Sequence, residues 1–416
     1  MAHIHHQIVI VGGGAAGITV AASLSRHGQD AALDLAIIDP ADHHYYQPAF
    51  SLVGAGVCTL SETRRDEEKL IPKDVSWIKA RVQSIAPETK TVVLASGNSV
   101  TYDYLVICPG LVCKWDAIAG LKDALGRDGV CSNYAPHTAE YTWACLKALK
   151  PGAKALFTQP AMPIKCPGAP QKAAYLAADY LKRIGIRPHC EVRFFTQTPA
   201  IFGVPFYAKE LVKVAAGHGI EVHTHHNLVE VDRRAKRATF EIVGGDQQGA
   251  RVSFAYDMLH VTPPQGTPDC LKGSPVANAA GFVEVDPGSL QHMKYPEIFA
   301  LGDAAATANS KTAAAVRKQA PVVVRNLLHL IRGEAVEAAY DGYAACPLTT
   351  AYGKVLMAEF IYGGKPTPTL PLDPRQERYV NWAINKHGLP RLYWDYMLKG
   401  YESFPAHDTG YVDPAA

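Results

Sequence analysis

The sequence predicts an α/β protein of two Rossmann-like domains followed by a C-terminal region, and three observations carry that expectation. The chain opens on a strand, a glycine-rich turn and a helix start; a second strand, loop and helix begin near Ala155; and glycine and proline punctuate the segments between, at Pro109-Gly110, Pro151-Gly152 and the T-P-P-Q-G-T-P stretch. With 416 residues, 48% hydrophobic and 19% charged, the chain is long enough for two or three full cores.

The first unit reads I-V-I-V-G-G-G-A-A-G-I-T-V. Gly12 permits the tight turn, Gly14 lets the backbone approach a pyrophosphate, and Gly17 allows the helix to pack closely on the strand. Ala15 stands at the helix start, where free N–H groups and the helix dipole favour phosphate charge. The next strand, L-D-L-A-I-I-D, ends in Asp39, about 20 residues beyond the glycines, where an acid accepts from ribose hydroxyls. Together these predict a bound dinucleotide.

The second unit departs from that pattern. K-A-L-F-T-Q-P-A-M-P-I-K-C-P-G-A-P-Q-K runs from a buried strand at Ala155–Phe157, through a loop with Cys166 at its tip, into a helix after Lys172. The loop occupies the phosphate position of a βαβ unit yet has no G-x-G-x-x-G, and Pro160, Pro163, Pro167 and Pro170 remove N–H donors. It offers a sulfur instead of a phosphate cradle.

Further along, Y-P-E-I-F-A-L leads into Gly302-Asp303, an acid at a strand end able to hydrogen-bond a polyol. The following N-S-K-T-A-A-A-V predicts a helix capped by Asn309 or Ser310, with Lys311 in its first turn. A cation is unfavourable at that end of the dipole unless an anion sits there, and the N1–O2 edge of a reduced flavin is such an anion.

Nine cysteines, an odd number with no C-x-x-C spacing, argue against a disulfide framework; Cys58, Cys108, Cys145, Cys190 and Cys270 read as inert core thiols. His223 and His225 share one face of an exposed strand without a partnering cysteine or carboxylate motif, so no metal is expected. A net charge of +2 and the lack of a basic run with interleaved aromatics exclude nucleic acid as a partner. No stretch reaches the roughly 18 apolar residues of a spanning helix. The first strand starts by Gln7, leaving no room for a signal peptide, so the expected compartment is intracellular.

Several separate motifs resemble sulfide:quinone oxidoreductase, type II branch, of the flavoprotein disulfide reductase superfamily. They are G-G-G-A-A-G-I-T, H-H-Y-Y-Q-P-A-F-S-L-V-G-A-G, W-I-K-A-R-V, K-C-P-G-A-P-Q-K, M-L-H-V-T-P-P, Y-P-E-I-F-A-L-G-D, S-K-T-A-A-A-V and Y-D-G-Y-A-A-C-P-L-T-T-A-Y, spread from the first strand to about Gly400. The resemblance implies FAD, held without a covalent bond because Gln47 stands in the region where covalently flavinylated relatives have a cysteine. It makes Cys166 and Cys346 the redox pair, with Cys131 a weaker third candidate. The persulfide falls to Cys166 and the flavin-side thiolate to Cys346, and Lys165 and Lys172 bracket Cys166 to lower its pKa. Hydrogen sulfide would be oxidised to sulfane sulfur, handed to glutathione, coenzyme A, sulfite or sulfide, while ubiquinone or a similar quinone takes two electrons. Flavocytochrome c sulfide dehydrogenase, a type II NADH dehydrogenase and a non-catalytic redox-sensing flavoprotein are the rival readings.

A quinone requires a membrane surface. Leu389, Leu392, Tyr393, Tyr396 and Met397 fall on one predicted helical face, with Trp394 and Leu398 widening it and Arg391 and Lys399 placed to meet lipid phosphates. Packing on the protein's own core is the alternative for that face. Phe360 and Tyr362 are candidates for a quinone slot, against a core role. The expected organisation is an FAD domain over 1–115 and 275–335, a second Rossmann-like domain over 116–274, and a membrane-facing region over 336–416. The chain is expected to be a homo-oligomer, peripheral on the cytoplasmic side of a bacterial inner membrane.

Overall fold

Runs such as Ile8–Ile10 and Leu105–Ile107 are fully buried, as continuous β-branched and apolar segments must be when both faces of a parallel sheet are covered. In the computed structural model, which describes residues 3–27 and 33–402, they form the centre of a seven-stranded sheet. Its parallel part runs Val75–Ile78, Leu35–Ile38, His3–Val11, Ser99–Ile107, with Ile10 opposite both Ile37 and Val106. Ile298–Ala300 adds in parallel to the far half of Ser99–Ile107, Ala300 opposite Ile107, so a distant segment completes the sheet. Thr91–Leu94 pairs antiparallel with the near half and carries Val82–Ala86. The helices Ala15–His27 and Ala313–Ile331 pack against each other.

A second sheet is wholly parallel, in the order Val130–Cys131, Met258–His260, Lys154–Gln159, Glu191–Thr196, Glu221–His223. A three-stranded antiparallel sheet, His226–Asp232, Arg237–Ile242 and Arg251–Ala255, follows it. The hairpin Ala344–Ala351 and Lys354–Phe360 packs on the helix Ala169–Arg183, which positions Cys346.

Four local expectations are corrected. The helix expected after Lys172 starts at Ala169, because Pro170 sits in its first turn, where a missing N–H costs nothing. The cap expected at Asn309 or Ser310 is Thr312, whose hydroxyl accepts from Ala315 N at 3.2 Å. Asn309 is occupied elsewhere, taking the Thr307 hydroxyl and donating to Ser310 O, so Lys311 precedes the helix instead of lying in its first turn. His223 and His225 do not share an exposed face: His225 has φ +59, while the half-buried His223 stacks on Phe195 at 4.6 Å and pairs with Glu221. The single apolar face of the C-terminal helix does not persist. Turns of π type at Ile384–Gly388 and Leu392–Tyr396, bonded i to i+5, widen the helix and rotate the stripe. Tyr393, Met397 and Leu398 therefore pack into the core of the first domain, whereas Tyr396 is 53% exposed.

Candidate active site: a sulfur pair beside a dinucleotide cradle

Cys166 leaves the strand Lys154–Gln159 on a loop held at several points. Its own N–H donates to Lys311 O at 2.8 Å, Lys165 N donates to Gln265 Oε1 at 2.9 Å, and the Tyr134 hydroxyl donates to Lys165 O at 3.1 Å. The loop turns at Cys166 itself, with φ +47, and Cys166 O accepts from Ala169 N as the helix begins. The bond to Lys311 O ties the sulfur loop to the segment that follows Gly302-Asp303, and hence to the first domain.

Cys346 approaches from the hairpin. Its Sγ lies 3.6 Å from Cys166 Sγ, beyond the roughly 2.05 Å of a disulfide but within reach of an S–H···S hydrogen bond, so two sulfurs 180 positions apart meet. Gly168 makes the space: a Cβ there would stand 2.5 Å from Cys346 Sγ and collide with Leu348. Lys172, buried on the first turns of the helix, donates from Nζ to Cys166 Sγ at 3.5 Å.

The electrostatics separate the two sulfurs. The hydrogen bond from Cys346, then the Lys172 ammonium, hold Cys166 down to about 5 despite burial. The same hydrogen bond, with burial, pushes the Cys346 thiol well above its ordinary range. Both directions favour negative charge on Cys166, the sulfur that Lys172 faces, over Cys346. Lys165 has no part in this: its charge is felt by Asp303 and Cys113.

The glycine fingerprint has the shape that the first domain's ligand requires. Gly12 has φ +106, and a Cβ on it would stand 2.6 Å from Cys108 O. A Cβ on Gly17 would run into Gly12 O, while Gly14, next to Ala15 at the helix start, faces open space. Asp39, at the end of the second strand, accepts from Gly13 N at 2.6 Å and Ala41 N at 2.7 Å, which leaves lone pairs for a ribose. Near the sulfur loop, burial raises the Asp303 carboxyl against the pull of Lys165 and Lys311, and burial lowers Lys311 to about 8. Lys311 Nζ donates to Ala305 O at 2.7 Å and Thr307 O at 3.1 Å. Gly302, at φ +72, donates its N–H to Gln319 Oε1. Gln47 is exposed at the start of a short 3-10 turn. The glycine cradle, the two acids and the buried lysine form a donor set that fits FAD.

Other residues singled out by sequence lie elsewhere. Cys131 is fully buried, a free thiol hydrogen-bonded to that of Cys145 and not to the sulfur pair. Phe360 is interior, edge-on to Phe202 at 6.2 Å, and the half-buried Tyr362 gives its hydroxyl to Pro287 O. Sequence reasoning missed Tyr134 and Gly168, whose roles are purely spatial. It also missed Glu67, a buried carboxyl beside Gly13 and Asp39 whose only signal is its place after the H-H-Y-Y motif.

Fold and site together define a flavoprotein oxidoreductase of the disulfide type, and residues 6–138 match the family described as Pyridine nucleotide-disulphide oxidoreductase. The chain is 42% identical over 95% of its length to "Sulfide:quinone oxidoreductase, mitochondrial" of Dictyostelium discoideum, covering 86% of that protein. It is 40% identical over 97% of its length to the protein of the same name from Mus musculus, covering 88% of it. The chain belongs to the sulfide:quinone oxidoreductase family. The crystal structure of the sulfide:quinone oxidoreductase from Aquifex aeolicus shares the fold, with a TM-score of 0.76 at 21% identity, covering 96% of this chain and 92% of that one. The family implies a flavin cofactor.

Proposed function

We propose that the protein oxidises hydrogen sulfide at Cys166 and Cys346 and passes two electrons, through non-covalently bound FAD, to a quinone of the ubiquinone type. The observation that carries this is the meeting of the two sulfurs at 3.6 Å with Lys172 on one of them, on a loop bonded to the dinucleotide-binding domain. FAD, when bound, supplies the two-electron chemistry that links sulfide oxidation to quinone reduction. Gly12, Gly14, Ala15 and Gly17 would hold its pyrophosphate, Asp39 its ribose and Asp303 its polyol, with Lys311 near the ring. Gln47 offers no sulfur for covalent attachment.

With the pair oxidised to a disulfide, hydrosulfide attacks Cys346 Sγ, the S–S bond breaks and Cys166 departs as a thiolate. The lower-pKa sulfur is the better leaving group, and Lys172 stabilises the charge it acquires. The persulfide then stands on Cys346 and the electron-donating thiolate is Cys166, the reverse of the allocation drawn from resemblance. An acceptor, whether glutathione, coenzyme A, sulfite or a second hydrosulfide, takes the sulfane sulfur from Cys346. The Cys166 thiolate and the Cys346 thiol re-form the bridge, releasing one proton and two electrons that bound FAD would take up.

Among the described residues no helix is long and apolar enough to cross a membrane. Tyr379, Val380 and Tyr396, exposed by 73%, 47% and 53% along the C-terminal helix beside Arg391 and Lys399, suit contact with a membrane surface. We place the protein there as a peripheral homo-oligomer, on the cytoplasmic side of a bacterial inner membrane. Of the two quinone candidates only Tyr362 is kept, because Phe360 is interior. We keep the domain division at 1–115 with 275–335, 116–274 and 336–416, a reading supported by the two large sheets and the hairpin. Anaerobic titration tests the whole reading. Sulfide should bleach the flavin through a long-wavelength charge-transfer band, and a soluble quinone should restore it over many turnovers. A single stoichiometric response would favour the redox-sensing rival and sink the enzyme.

A further inference from the structure

Glu67 is 1% exposed, and its Oε1 has no hydrogen-bond partner. A buried, unpaired carboxylate oxygen is costly unless a ligand completes it. That oxygen stands 2.6 Å from where a Cβ on Gly13 would be, and Asp39 Cβ stands 2.8 Å from the same point. It therefore belongs to the corner of the glycine fingerprint where ribose hydroxyls are received. The other oxygen, Oε2, is 3.3 Å from His44 Nδ1, and His44 Nε2 is 2.5 Å from the Tyr393 hydroxyl. An ionised carboxylate can only accept, so in a neutral His44 the proton sits on Nδ1 facing Glu67, and Nε2 accepts from the tyrosine O–H. All three side chains are buried, and Tyr393 belongs to the C-terminal helix, where its ring lies 4.9 Å from that of Tyr46.

We propose that Tyr393, His44 and Glu67 form a hydrogen-bonded relay that presents Glu67 Oε1 to the adenosine ribose of the bound dinucleotide, coupling cofactor retention to docking of the C-terminal helix. The inference rests on the FAD reading and adds to it a second acid and a long-range partner. Burial raises the Glu67 carboxyl, His44 opposes that, and the neighbouring Asp39 charge reinforces it, so the carboxylate is most in need of the hydroxyl donors a ribose supplies. Coupling of this kind is reciprocal: what loosens the helix loosens the cofactor, and the reverse.

The test is the rate of flavin release from the purified holoenzyme, followed by the rise in free-flavin fluorescence after dilution, for wild type, Glu67→Gln, Tyr393→Phe and Asp39→Asn. Loss of a charge-assisted bond at Glu67 should speed release about tenfold or more, and loss of the tyrosine donor about threefold. Tyr393→Phe removes one oxygen from a packed ring and keeps the fold, so its answer stands if Glu67→Gln misfolds. Hydrogen exchange of the 392–398 amides should quicken when flavin is stripped from wild type. Unchanged release in both relay variants, with Asp39→Asn accelerated, would overturn the relay and leave the FAD reading intact. Purified wild type with no flavin and no affinity for it would overturn both.

Discussion

Lys172 is where the structure makes the sharpest demand. Its Nζ stands 3.5 Å from Cys166 Sγ in a buried setting, so replacing it with methionine deletes a charge while keeping much of the bulk. At an effective dielectric constant of about 20, two unit charges at that distance attract by roughly 4.7 kcal/mol, an upper bound equal to about 3.5 pKa units. The hydrogen bond from Cys346, the larger influence, survives the change, so a rise of roughly 1–3 units is expected. Starting from about 5, Cys166 would then titrate between about 6 and 8. At pH 7 its thiolate fraction falls from nearly complete to about a half or less for a shift of two units or more. The assay is alkylation of the reduced protein by iodoacetamide across pH 4–9, with Cys166 modification read by mass spectrometry. Wild type should show a midpoint near 5 and Lys172→Met a clearly higher one. An unmoved midpoint would show that the ammonium does not set this sulfur's charge, and the choice of Cys166 as leaving group would lose its basis.

Replacing Cys166 or Cys346 by serine should abolish sulfide-dependent quinone reduction while leaving the flavin spectrum, and full turnover in either variant would remove the pair from the reaction. Gly168→Ala puts a methyl group 2.5 Å from Cys346 Sγ; overpacking of about 1–3 kcal/mol and a displaced sulfur should lower turnover on the order of a hundredfold, measured with melting temperature as the control. The pH dependence has a fixed sign: Cys166 has a depressed pKa, so its thiolate is present above about 5 and is lost as pH falls through that value. The charge-transfer absorbance of the sulfide-treated enzyme should fade as pH falls and the Cys166 thiolate is protonated. Gly17→Val, whose side chain would meet Gly12 O, should yield protein purified without flavin, scored by the ratio of flavin to protein absorbance.

What was legible in the sequence followed from local chemistry. The fingerprint strand, turn and helix were readable because glycine spacing at 12, 14 and 17 answers steric needs within one turn, and the proline-rich loop around Cys166 because missing donors are a local fact. The Cys166–Cys346 contact was reached only through resemblance, since nothing in 180 intervening residues encodes a 3.6 Å approach. Which sulfur carries the charge depended on Lys172 against Lys165, a difference of side-chain direction that neighbouring positions in sequence conceal. The C-terminal stripe failed because a 3.6-residue period was applied to a segment that winds partly in wider turns. Thr312 took the cap because Asn309 was already bonded to Thr307, a competition decided by the loop's three-dimensional path.

The pairing of Cys346 with Ala358 across the hairpin fixes more than a contact. Side chains alternate faces along such a ribbon, so removing or adding one residue between Cys346 and Thr349 would turn the sulfur to the opposite side of the sheet, whereas two residues would restore its direction. The turn at Ala351–Lys354 helps to set that register. Length changes there that keep Thr349 opposite Val355 should be tolerated, while single-residue changes between Cys346 and Thr349 should silence the enzyme without unfolding it.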